Sequence, residues 1–195
     1  MVRAILDGRK TQTRRSVKHP AAAHWTDGVH EQFDKPGFVA TAGGQAGQAG
    51  NWIKCPYGKP GDRLWVKETW KCHCHETEWT GIKYRADGGF MKPELWSHDQ
   101  GAWCEAREEE TKWRPSIFMP RWASRITLEI TAVRVERLHA ISDADCRAEG
   151  ITDEDIGIGL SNAAYLGLWE RINGRESVEL NPWVWVIEFK RVQNG

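Results

Sequence analysis

"RITLEITAVRVERL", residues 125–138, holds the longest strand signal in the chain. Ile126, Leu128 and Ile130 recur at every second position, as one buried face of a strand requires. The alternation then slips by one residue to Val133 and Val135, which predicts a bulge near Thr131 or Ala132. Further on, "NPWVWVIEFKRV" (181–192) is apolar at successive positions and predicts a strand buried on both faces for much of its length. Upstream, "KPGDRLWVKETW" (59–70) offers a turn at Pro60-Gly61-Asp62, then a strand with Leu64 and Val66 on one face. "TGIKYRADGG" (80–89) reads as another strand that ends in a turn.

The helices are short. Val2, Ile5 and Leu6 have helical spacing, and Gly8 stands where a helix C-cap would end them. Ser142 with Asp145 forms a capping-box pattern, opening a helix that Gly150 would close. Ala164, Tyr165, Leu168, Trp169 and Ile172 mark an amphipathic helix ending at Gly174. This order, with strands predominating, predicts an α+β fold, a small mixed barrel with flanking short helices, and not a doubly wound sheet. Residues 41–51, "TAGGQAGQAGN", are low in complexity, and 91–116 are charged and Trp-studded. Two irregular stretches, 16–59 and 71–112, are expected to be long loop insertions into one domain covering 1–195.

A chain of 195 residues can bury a sizeable core without disulfide help. Its 27 basic and 27 acidic residues cancel, so any grip on nucleic acid must come from a local patch. No apolar run approaches the roughly 20 residues of a membrane helix, and no signal peptide opens the chain. Five cysteines, an odd number, have a spacing that suggests no disulfide framework, and a reducing cytoplasm is the simplest reading. Twelve tryptophans stand out against five Phe and three Tyr. Their rings serve a core, or serve as platforms for unstacked bases.

The common nucleotide-binding, zinc-protease and serine-hydrolase signatures are absent. "CHCH" at Cys72–His75 is the densest group of metal-ligand types, but neighbours on a strand face opposite ways and the paired spacing of a zinc site is missing. No metal or cofactor is expected. "ILDGRKTQTRR" (5–15) is the densest basic run. On a plain strand Lys10 and Thr13 would point to opposite faces, so they converge only if the chain turns after Gly8. A desolvated lysine becomes a base or nucleophile, whereas a charged one binds phosphate or an oxyanion. A solvated strand edge is the alternative, and Arg9 and Arg14 take that reading. Glu68, Glu136 and Glu149 are the candidate carboxylates, each at the end of a regular element, and periodicity does not choose among them.

Gly8-x-Lys10-x-x-Thr13-x-Arg15 resembles the GxKxxTxR signature of the ASCH domain, within the PUA-like superfamily. "PGDRLWV" (60–66), "RITLEITAVRVERL" (125–138), "DADCRAEGI" (143–151) and "WVWVIEFKRV" (183–192) resemble further family blocks in family order, covering about half the chain. The longer form with "WRPSIFMPRWASR" (113–125) looks like ASCH proteins carried by phages and prophages. The resemblance implies a small PUA-like mixed β-barrel of about five to six core strands. It also implies an amidohydrolase that removes the acetyl group from N4-acetylcytidine, with Lys10, Thr13 and Glu149 as catalytic residues. Members usually carry a strand before the signature helix, which here begins next to Met1.

Arg15 is the expected substrate anchor, with Trp65, Glu68 and Trp70 as further substrate-binding residues. The expected partner is a modified nucleoside or single-stranded RNA or DNA, with no membrane. Three alternatives remain open: a non-catalytic module of phage origin that binds RNA, DNA or a modified base, a ribonuclease, and a phage assembly protein.

Overall fold

The computed structural model describes residues 1–18, 30–31, 38–40, 52–75, 78–91, 112–152, 154 and 161–192. The low-complexity segment 41–51 and most of the charged stretch 91–116 lie outside them. The described chain is mixed α+β. A four-stranded sheet has the order β1 (Gln12–Ser16), β10 (Trp183–Val192), β9 (Thr127–Arg137), β5 (Arg63–Trp65). Two three-stranded sheets accompany it. One holds β2 (His30–Glu31), β3 (Phe38–Ala40) and β4 (Trp52–Lys54), and the other β6 (Trp70–His75), β7 (Glu78–Tyr84) and β8 (Phe90–Met91). The two stretches expected as loops are therefore partly sheet. Strand β7 covers part of the strand expected at 80–89; the others are too short, or too rich in Lys and His, for alternation to reveal them.

The long strands obey their sequence. In β10 the run Trp183–Ile187 is buried at every position, so both faces are covered. In β9 Leu128 and Ile130 are buried, Thr131 is exposed, and the buried phase resumes at Val133, which is the one-residue slip the apolar pattern carries. β1 pairs antiparallel with β10, setting Thr13 opposite Ile187 and Arg14 opposite Val186. Beside β5, the Ile130 amide donates to the Asp62 carbonyl (2.9 Å) and the Val66 amide to that of Ile126 (3.0 Å). That opposed order is an antiparallel ladder.

The helices are α1 (Val2–Leu6), α2 (Asp143–Ala148), α3 (Ser161–Asn173) and α4 (Arg175–Glu179). Helix α1 stops at Gly8, whose φ of 73° is costly for any residue with a Cβ. At the start of α2 the Ser142 hydroxyl accepts from the Asp145 amide while the Asp145 carboxylate accepts from Ser142, a complete capping box. Helix α3 buries Tyr165 and Trp169 as its spacing requires, but Ile172 is 61% exposed. Among the described residues, no helix is long and apolar enough to cross a membrane.

The chain divides into two compact units. The first, Arg3–Arg63 with Glu129–Arg191, has a core of Leu138, Ile141, Cys146, Tyr165, Trp169 and Val184. The second, Leu64–Leu128, is built around Trp70, Cys72, Ile82, Tyr84, Met119 and Ala123. Cys72 is disulfide-bonded, contrary to the expectation from cysteine spacing, because pairing depends on proximity in space. Cys55 and Cys146 are free and buried.

The second unit turns on Arg125. Its guanidinium grips both carboxylate oxygens of Glu68 at 2.9 Å, reaches both of Asp87 at 2.7 and 2.9 Å, and lies 4.0 Å over the Tyr84 ring. Glu68 is almost fully buried, so this bidentate pairing is what keeps its charge tolerable. The same grip holds Asp87 down to about 2. A carboxylate lowered in this way contributes stability above its unfolded value, and loses it as pH falls through the folded one. Arg125→Met is therefore expected to cost about 3 kcal/mol at neutral pH through the stranded Glu68, and to flatten the loss of stability between pH 4 and 2. Urea midpoints across that range test both, and an unchanged midpoint at pH 7 would refute the assignment.

Candidate functional site

The first unit contains a cavity of about 580 Å³. Helix α1 and the turn after it, strand β1, the end of α2 and one face of α3 surround it. Lys10, Thr13, Arg15 and Glu149, expected from sequence to share a site, all line this cavity.

Lys10 and Glu149 form its floor. The Lys10 ammonium donates to Glu149 Oε2 at 2.5 Å and to the Glu149 carbonyl at 2.9 Å, and both side chains are about 5% exposed. Two local devices bring them together. The turn at Gly8 lets the Lys10 amide reach back to the Ala4 carbonyl (2.8 Å), while the Thr11 amide bonds the last carbonyl turn of α2 at Ala148 (2.8 Å). Gly150, with φ of 90°, lets the chain leave α2 against Lys10; a Cβ there would stand 3.3 Å from that of Lys10 and 3.2 Å from that of Ala4. Burial holds the Lys10 amine below its ordinary value, against the pull of Glu149. Burial likewise pushes the Glu149 carboxyl up, against the pull of Lys10. Both shifts bring the proton affinities of the two groups closer together.

Beneath the floor lies Arg14, and here the structure corrects the sequence. Expected as solvated charge, its side chain is fully buried. It donates to Glu136 (2.9 Å), lies 3.3 Å from Asp145 and 3.9 Å from Glu149, and sits over the Tyr165 ring at 5.9 Å. Arg134 closes a second row, bonding Glu136 at 2.5 Å, Asp145 at 2.8 Å, and Glu188. Asp145 is held down to about 2; the Ser142 hydroxyl and the two arginines outweigh its partial burial. Asp145 and Glu149 are four residues apart, so they share one face of α2. The signal for Arg14 was the period of two, which puts Gln12 and Arg14 on one face of β1 and Thr13 and Arg15 on the other; sequence could not tell which face is covered. Arg9, by contrast, is solvated and pairs with Asp7 at the surface.

Thr13 is half-buried on the cavity wall, and among the described residues its hydroxyl makes no hydrogen bond. Because β1 is an edge strand, residues from both of its faces can border one cavity. Tyr57, Tyr165, Leu168 and Trp169 supply aromatic and apolar wall, and the part played by α3 went unforeseen because no motif marks it.

Three expected substrate contacts belong to the second unit and do not line this cavity. Trp70 is fully buried, edge-on to Trp122 at 6.2 Å, so it has no face for a base. Glu68 is occupied by Arg125. Trp65 is half-buried, with Lys67 at 5.0 Å and Arg121 at 5.9 Å against its ring. Among the described residues no group of His, Cys, Asp and Glu is placed to hold a metal ion, and a disulfide removes Cys72 as a thiolate ligand.

No family model, no curated protein and no solved structure matches this chain.

Lys10→Met leaves Glu149 buried without its closest counter-charge. A carboxyl whose folded pKa is raised is most stable protonated, so the deficit grows as pH rises through that pKa. The variant is expected to lose about 3 kcal/mol at pH 8 and much less at pH 5. Urea unfolding at the two pH values tests this; an equal loss at both would show that Glu149 does not carry the effect.

Proposed function

We propose that the first unit is an ASCH-like, PUA-like hydrolase that cleaves an amide on a modified base, with N4-acetylcytidine as the reference substrate. The observation that carries this reading is the Lys10–Glu149 pair, buried at 2.5 Å on the floor of a cavity whose wall holds a hydroxyl at Thr13. Amide hydrolysis needs a base for the nucleophile and an acid for the departing amine. A desolvated lysine amine supplies the first, and a carboxyl raised by burial supplies the second.

In this mechanism Lys10 accepts a proton from the nucleophile, which is the Thr13 hydroxyl or a water beside it. The nucleophile bonds to the amide carbonyl carbon, the C–N bond breaks, and the base nitrogen takes a proton from Glu149. With water the products are acetate and the amine. With Thr13, an acetyl ester forms first and water then hydrolyses it. Aromatic and apolar groups at Tyr57, Tyr165 and Leu168 suit a flat base. Arg14 acts through Glu149 and is a positioning residue.

Purified protein is expected to release acetate from N4-acetylcytidine, with Lys10→Ala and Glu149→Gln each lowering kcat at least about 100-fold. The rate should fall at high pH along a limb lying below the ordinary lysine value of about 10.4, since the active pair holds one proton, on Glu149, and loses it there. Radiolabelled acetyl retained by wild type but not by Thr13→Val would identify the threonine ester. Wild-type protein inert toward N4-acylated cytidines would end this reading and leave a binding module, detected as nucleoside affinity without turnover.

A further inference from the structure

The charges around the cavity are unevenly spent. Five basic side chains line it: Lys10, Arg14, Arg15, Lys18 and Arg171. Lys10 is committed to Glu149, and Arg14 to Glu136 and Asp145. The remaining three are exposed and make no ion pair among the described residues. They come from two separate elements: Arg15 lies near the end of β1 with Lys18 just beyond it, and Arg171 lies in the last turn of α3. Among the described residues the one acidic side chain on the lining, Glu149, is already paired with Lys10 on the floor. Among the described residues the mouth thus carries three positive side chains with no ion-pair partner, in a chain whose total charge is zero. A chain with a general basic excess would show such a cluster by accident, and this one has no excess. The charge also reaches inward, because Arg15 acts on Lys10 at the floor and on Tyr165 in the wall.

A neutral nucleoside makes no use of such a mouth. Like charges held together at a surface repel, and they are relieved when an anion bridges them. From this arrangement we infer that the cavity takes a nucleoside monophosphate, with the modified base toward Lys10 and Glu149 and the phosphate held by Arg15, Lys18 and Arg171. The inference rests on the proposed base chemistry for the inner end of the cavity, but the outer end is argued from charge alone. The volume suits one nucleotide: about 580 Å³ falls within the range of sites that enclose a single small ligand. A polynucleotide would need a basic track beyond the mouth, and the neutral chain gives no general support for one.

The test is binding, measured by calorimetry on the intact chain and independently of turnover. N4-acetylcytidine 5′-monophosphate, N4-acetylcytidine, inorganic phosphate and a five-nucleotide single-stranded RNA are compared. The monophosphate is expected to bind at least about tenfold more tightly than the nucleoside, through charge-assisted contacts. That advantage should shrink between 50 and 500 mM salt. Lys18→Gln with Arg171→Gln should remove most of the advantage while leaving nucleoside affinity in place, which also shows that the variant is folded. Equal affinity for nucleoside and monophosphate overturns the inference, as does an RNA that binds more tightly than the monophosphate. Acetate release from the nucleoside with no preference for the phosphate would sink this inference and leave the proposed hydrolase standing. A phosphate preference without acetate release would do the reverse.

Discussion

A row of alternating charge, buried at Lys10, Glu149 and Arg14 and reaching the surface at Glu188, holds the first unit together. It runs from Lys10 to Glu149, from Glu149 to Arg14, from Arg14 to Glu136 and Asp145, and from these through Arg134 to Glu188. Taking single charges out of water costs several kcal/mol each, and attraction repays this only where the partners are close and further hydrogen bonds satisfy what is left. Here that condition is met unevenly. Glu136 and Asp145 each serve two arginines. Glu149 Oε1 and two nitrogens of Arg14, by contrast, are buried without hydrogen-bond partners. The unevenness falls at the cavity end of the row, where a buried acid and a buried amine are most useful if they are least firmly held in their charged forms.

Helix α2 makes this arrangement possible in six residues. Its capping box ties Asp145 to Ser142, fixing one carboxylate beside the two arginines. One turn later the helix ends at Glu149, and Gly150 lets the chain depart against Lys10. A longer helix, or one ended by a residue with a side chain, would set Glu149 away from the lysine. The Lys10–Glu149 distance is thus a consequence of where a very short helix starts and stops.

The second unit uses the same chemistry to a different end. Arg125 binds Glu68 and Asp87 with four hydrogen bonds and covers Tyr84. Both oxygens of Glu68 are engaged there, whereas Glu149 has one oxygen bonded and the other without a partner. A carboxylate held on both oxygens is a structural anchor, and one held on a single oxygen beside a cavity can exchange a proton.

Much of this protein was legible in its sequence where the physics is local. The turn at Gly8, the Ser142–Asp145 cap, the stop at Gly150 and the strands of 127–137 and 183–192 depend on backbone geometry, caps and side-chain period, all set by neighbouring residues. Tertiary structure alone decided which faces meet. Periodicity offered Glu68, Glu136 and Glu149 equally, and resemblance favoured the last. In the fold Glu68 is held by Arg125, Glu136 lies between two arginines, and Glu149 meets Lys10. Arg14 and Arg15 are adjacent in a basic run, yet one is buried at the centre of the ion row and the other stands at the cavity mouth. The strand period separates them, and only the element packed over one side of β1 determines which of the two is covered.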